Sequence, residues 1–184
     1  TPRWMVEVLM ETEWFKLLVS HDMKIVEPCA GQGHISKPLE EKLYQVDSYD
    51  IDPDSPYPKI GATSQSEVSK LSMYDVSVTN PPYSADTGSA AEVIHTLLGA
   101  TDIVVALTRI TFLEPCQDRD RLLRDHLKAA YILPRDDFYL PSGEQKRGNP
   151  ATSCWMFFSQ NAIKQTSMEV ITRDKVNQIC GHIF

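Results

Sequence analysis

Apolar and polar positions recur along the chain with two different periods, and the changes of period mark out its elements. Near the start, Val6, Leu9, Met10, Trp14, Leu17 and Leu18 fall at helical spacing, which predicts a helix with Thr1 as N-cap and Pro2 as its first residue. MKIVEPCAGQGHIS reads as a short apolar strand and a glycine-containing turn, and SKPLEEKLY as a helix with Pro38 in its first turn. QVDSYDIDPDSPYP predicts a second strand that runs out in acids and turn residues. From Gly61 to Met73 the pattern is weak and leaves room for one short strand or helix. DVSVT reads as a strand and SAAEVIHTLLGA as a helix ended by Gly99. DIVVALT, the most apolar strand, has the composition of a central parallel strand. QDRDRLLRDHLKAA places Leu122, Leu123, His126, Leu127 and Ala130 on one helical face. Two late strands, AAYIL and TSCWMFF, flank the polar loop PSGEQKRGNP.

Strands alternating with helices, closed by two strands with no helix between them, predict an α/β domain with a mostly parallel sheet and an antiparallel late pair. With no repeat, low-complexity tract or linker, the expectation is one domain over 1–184, long enough to bury a core. Hydrophobic content of 42% and charged content of 23% belong to a globular chain. No apolar run approaches a membrane span and no signal-peptide pattern opens the sequence, so a soluble, non-secreted protein is expected. Its place would be the cytoplasm, or the nucleoid or nucleus if it acts on nucleic acid. Cys29, Cys116, Cys154 and Cys180 form no CxxC pair and the five histidines are dispersed, which predicts neither a zinc site nor a disulfide framework. A net charge of −7 argues against tight nonspecific binding of nucleic acid through bulk charge, so any such partner requires a local basic face.

In open α/β sheets, ligands collect beyond the carboxyl ends of the strands, and three motifs fall there. In EPCAGQG, Gly31 and Gly33 permit a tight turn and close approach of a ligand, although a plain strand-to-helix turn needs the same residues. Ser36 stands where a dinucleotide fingerprint would have its third glycine, which weighs against a pyrophosphate cofactor. Asp50 follows the glycine turn by about 20 residues, the spacing of an acid that bonds ribose hydroxyls. Asp54 reads as part of a solvated turn. In DVSVTNPPYSADTG, two prolines stiffen the strand end and push Asn80 and Pro81 into extended conformations. The Asn80 amide and the Pro81 carbonyl can accept hydrogen bonds from one amino group, and Tyr83 can stack on a planar partner.

Taken in this order, the three motifs resemble the class I S-adenosylmethionine-dependent methyltransferases. NPPY resembles the amino-methyltransferase signature, EPCAGQG the glycine motif of its N6-adenine DNA branch, and TPRWMVEVLM that branch's cofactor-flanking segment. The resemblance covers Thr1 to about Phe112 firmly and extends loosely to Phe158. It implies a Rossmann-like fold: a mostly parallel seven-stranded sheet with an antiparallel last strand and helices on both faces. It also implies S-adenosylmethionine as cofactor and the N6 amino group of adenine in DNA as acceptor. The cofactor falls to Thr1, Glu27, Pro28, Gly31, Gly33, Asp50, Ile51 and Asn80, with Asp50 on the ribose and the glycine turn at the amino-acid part. Catalysis falls to Asn80, Pro81, Pro82 and Tyr83, which hold the target amino group and stack on its ring. Two acceptors on that amino group would draw its nitrogen toward tetrahedral geometry, a positioning effect without a covalent enzyme intermediate. A target in duplex DNA would first be flipped out of the stack.

The chain departs from that family in two places. No separate target-recognition domain is expected after TSCWMFF, so either the protein is weakly sequence-selective, or its loops do the reading, or a partner or dimer supplies recognition. The contact to the cofactor's adenine is not visible in GATSQSEVSKLSMYD. For substrate binding, Phe138 is the better candidate for a second aromatic over the base, ahead of Tyr139 and of Trp155, which reads as core at least as readily. Arg109, Arg135, Lys146 and Arg147 are the candidate basic face, with a solvated hairpin as the equal alternative for Lys146 and Arg147. Arg119, Arg121 and Arg124 read as a solvated helix face. Transfer to RNA adenine or protein glutamine is the alternative activity, and a non-catalytic binding module the reading from another class.

Overall fold

The computed structural model describes residues 1–62, 64–82, 89–116, 119–135, 138–139, 145–146, 151–161 and 166–183, with the backbone alone at 65, 138–139 and 145–146. The first helix, α1 (Arg3–Glu11), begins one residue later than the sequence predicts. Pro2 is its capping residue, extended at φ −60° and ψ 139°, and Thr1 lies outside the helix, with its hydroxyl turned to another partner. Thr12, extended at ψ 147°, then interrupts the expected single helix. Its hydroxyl donates to the Leu9 carbonyl at 2.7 Å and accepts from the Phe15 N–H at 3.3 Å, so it ends α1 and caps α2 (Glu13–Leu18). The break changes the face presented to the core. Phe15 is buried, Trp14 and Leu18 are half-buried, and Leu17 is 71% exposed, against the expected stripe.

Onward run β1 (Lys24–Glu27), α3 (Ser36–Glu41), β2 (Gln45–Ser48), α4 (Gln65–Val68), β3 (Val76–Thr79), α5 (Ala90–Leu98) and β4 (Ile103–Arg109). The segment of weak pattern thus becomes a short helix followed by a 3₁₀ turn at Ser69–Leu71. After α6 (Asp120–His126) come β5 (Leu127–Ile132), the two-residue strands β6 (Phe138–Tyr139) and β7 (Gln145–Lys146), β8 (Ser153–Ser159), β9 (Ser167–Val170) and α7 (Arg173–Cys180). The predicted helix through Ala130 stops at His126, because Leu127 to Ile132 are taken up between β8 and β9. Tertiary pairing there outweighs the helix propensity of Leu, Lys and Ala.

Among the described residues, seven strands form one sheet in the order β2-β1-β3-β4-β8-β5-β9. All neighbours are parallel except at β8, which runs antiparallel to both β4 and β5. The late antiparallel pair is as expected, but its strand lies inside the sheet, and a further strand, β9, closes the edge. Side-chain alternation splits the core in two. Val105, Leu107, Trp155 and Phe157 pack under α1, α3 and α7, whereas Val104, Ala106, Met156 and Phe158 pack under α5. Trp155 is fully buried and donates its indole N–H to the Met5 carbonyl at 2.8 Å, which makes it a core residue and removes it as an aromatic over a substrate. No described helix is long and apolar enough to cross a membrane.

Candidate functional site

Parallel pairing brings the three motifs to one edge of the sheet. β1 lies between β2 and β3, with Glu27 opposite Ser48 and Val26 opposite Ser77. The pairing continues past the strands, since Tyr49 N–H donates to the Glu27 carbonyl at 2.8 Å and Ala30 N–H to the Tyr49 carbonyl at 2.9 Å. That extension sets Asp50 beside the glycine turn. One carboxylate oxygen of Asp50 accepts the Gly31 N–H at 2.6 Å and the other the Asp52 N–H at 2.8 Å. Asp50 is only 8% exposed, and each oxygen keeps acceptor capacity for a further donor.

Gly31 and Gly33 adopt φ of 55° and 76°, the left-handed region that a side chain disfavours. A Cβ on Gly33 would lie 2.0 Å from the Tyr57 hydroxyl oxygen, so close approach as well as φ requires glycine there. Glu27 is buried at 1% exposure and accepts the Ser36 N–H at 2.8 Å, which ties the end of β1 to the start of α3. Burial pushes its carboxyl up to about 8, against the opposing pull of the Ser36 N–H.

A cavity of about 260 Å³ opens where these strand ends meet. Of the residues singled out from sequence, Pro28, Asp50, Ile51, Asn80 and Pro82 line it. Thr1, Glu27, Gly31 and Gly33 are not in its lining, although Gly31 donates to Asp50 and the side-chain amide of Asn80 donates to the Thr1 hydroxyl at 3.2 Å. Pro81 is buried and Tyr83 lies outside the described residues. Cys29, Ala62 and Val93 complete the lining and were missed by sequence reasoning. Cys29 sits within EPCAGQG and could have been found there, but Ala62 and Val93 carry no local signal. Burial pushes the Cys29 thiol up to about 12, so this wall of the cavity is neutral.

The expected basic face is described only in part. Arg109 ends β4 opposite Ser153, and Arg135 donates to the Thr152 hydroxyl at 3.2 Å, so both exposed guanidinium-bearing residues lie where β4, β8 and β5 end. Thr79 of β3 pairs with Ala106, which places Arg109 about 10 Å further along the strand direction than Thr79. Phe138 and Lys146 pair through their backbones in the β6–β7 hairpin, and Arg147 lies outside the described residues. Arg121 and Arg124 pair with Asp120 and Asp125 on α6, the solvated face expected of them. Arg119 instead donates to the Thr111 carbonyl and lies over the Phe112 ring. Among the described residues no group of histidines, cysteines or acids could hold a metal ion.

No sequence family and no curated protein matches the chain. Its fold does have solved counterparts. The EcoKI M protein of a type I restriction enzyme superposes with a TM-score of 0.62 at 12% identity, over 92% of this chain and 47% of that one. A SAM-dependent methyltransferase from Anabaena variabilis gives 0.52 at 12% identity over 88% of both chains. Another from Methanosarcina mazei gives 0.51 at 11% identity over 81% of this chain and 97% of that one. The chain therefore has the Rossmann-like methyltransferase fold, and it spans about half the length of the type I restriction-modification subunits it resembles.

Proposed function

We propose that this chain is an S-adenosylmethionine-dependent methyltransferase that modifies the N6 amino group of adenine in DNA. The observation that carries the reading is that Asp50 and, 30 positions on, Asn80 with Pro82 wall one cavity at the carboxyl edge of the sheet. Bound S-adenosylmethionine would supply an activated methyl group. Asp50, held by two backbone N–H groups and still able to accept, would take the ribose hydroxyls. Ile51, 46% exposed and part of the lining, offers an apolar face to the adjoining ring.

Asn80, whose side-chain amide donates to the Thr1 hydroxyl, would turn its carbonyl oxygen to a target amino group. The Pro81 carbonyl would supply the second acceptor and Tyr83 the stacking ring. Arg109 and Arg135, with Lys146 and Arg147, would meet phosphates.

The test is methyl transfer from labelled S-adenosylmethionine to unmethylated DNA, RNA and a protein extract in parallel, with mass spectrometry of the products. N6-methyladenine in DNA supports the reading. Label confined to RNA adenine or protein glutamine keeps the site and replaces the substrate, an outcome that the net charge of −7 makes worth the extra arms. Failure to bind the cofactor would return the chain to a binding module on this fold.

A further inference from the structure

We propose that Ser55 and Tyr57 are positioning residues that clamp the glycine turn, through the loop after β2, into the shape a cofactor requires. The proposal rests on the methyltransferase reading and goes beyond it, since nothing in the motifs points to this loop. Its two ends are closed on each other: Asp50 N–H donates to the Pro58 carbonyl at 3.1 Å and Ile60 N–H to the Asp50 carbonyl at 3.0 Å. Between them, Asp54, Pro56 and Pro58 are exposed while Ser55 and Tyr57 are half-buried, so alternate residues turn inward.

Their targets are the two left-handed glycines. The Ser55 hydroxyl donates to the Gly31 carbonyl at 2.9 Å and accepts the Tyr57 N–H at 3.4 Å. The Tyr57 hydroxyl occupies the space where a Gly33 Cβ would project. With Asp50 on the Gly31 N–H, one loop grips Gly31 through both its N–H and its carbonyl. Pro53, Pro56 and Pro58 restrict the loop in the unfolded chain, which lowers the entropy lost in ordering the clamp. The loop therefore couples the Asp50 end of the site to the glycine-turn end.

Two measurements on the full chain test this. Amide hydrogen exchange at Gly31 and Gly33 reads the clamp without ligand. Ser55→Ala should speed it by about tenfold, the scale of one lost hydrogen bond, and Ser55→Thr should restore it, while Tyr57→Ala, which empties the space beside Gly33, should speed it as well. Unchanged exchange in folded variants would overturn the clamp whatever the chain binds. Calorimetry with S-adenosylmethionine and with adenosine alone reads its consequence. The first should bind about tenfold more weakly to Ser55→Ala, whereas adenosine, which lacks the amino-acid part, should bind within about twofold of wild type. Equal weakening of both ligands, or of neither, would also overturn it. Wild-type protein that binds neither ligand would instead remove the methyltransferase reading, and exchange would still decide the clamp.

Discussion

The side-chain amide of Asn80 donates to the hydroxyl of Thr1 at 3.2 Å, joining the start of the chain to the end of β3 across 79 positions. This bond sets which end of the amide faces Thr1. Asn80→Ala should abolish methyl transfer while cofactor binding survives, and undiminished turnover would remove the assigned mechanism. Thr1→Val, which keeps the shape and loses the acceptor, should lower kcat by about tenfold with little change in melting temperature. Thr1→Ser should recover most of it; a Val variant as fast as wild type would show that the amide is oriented by something else.

Asp50 lines the cavity and holds the adjoining backbone at once, accepting the N–H groups of Gly31 and Asp52. Asp50→Ala should weaken cofactor binding by about 1–3 kcal/mol, the range for a hydrogen bond to a charged group. Calorimetry measures this directly, and an unchanged affinity would exclude Asp50 from the site.

The two glycines of the turn should respond differently to the same substitution. Gly31→Ala meets nothing within 4 Å and suffers only its φ of 55°, a cost of about 1–2 kcal/mol. Gly33→Ala carries comparable backbone strain and must also displace Tyr57, adding about 1–3 kcal/mol of overpacking. Urea unfolding of the two variants side by side measures the difference; equal losses would mean that Tyr57 yields freely.

Glu27 should make stability depend on pH. Its folded carboxyl is pushed up to about 8 by burial, whereas an unfolded glutamate titrates near 4.3. Between those values the native chain holds a proton that the unfolded chain has released. The stabilisation is complete below the unfolded value, is lost as pH rises toward 8, and has a limiting slope of about 1.4 kcal/mol per pH unit. Glu27→Gln keeps an acceptor for the Ser36 N–H and removes the titration. Its unfolding free energy should fall less than that of wild type between pH 5 and pH 8, and parallel profiles would contradict the buried, protonated state.

How far sequence reaches into this molecule can be followed residue by residue. DIVVALT and TSCWMFF are long apolar runs whose burial on both faces shows in composition alone, and both are strands as predicted. Pro28, Asp50, Ile51, Asn80 and Pro82 were placed at strand ends by turn chemistry, and parallel pairing carried those ends to one cavity. Val93 and Ala62 complete that cavity from a helix and a loop where nothing in the local pattern sets them apart.

The chain by itself determined the α/β class, the alternation of strands and helices through β4, and the turn motifs at three strand ends, because period, apolarity and glycine or proline conformation are local properties. Only the tertiary structure decided the rest. It broke the first helix at Thr12, started the predicted late strand at Leu127 rather than Ala129, added β9 at the edge and buried Trp155. It also set Ser55 and Tyr57 against the glycine turn and Thr1 against Asn80. Each of these depends on a partner distant in sequence, and its energy is realised only once the sheet has brought the two together.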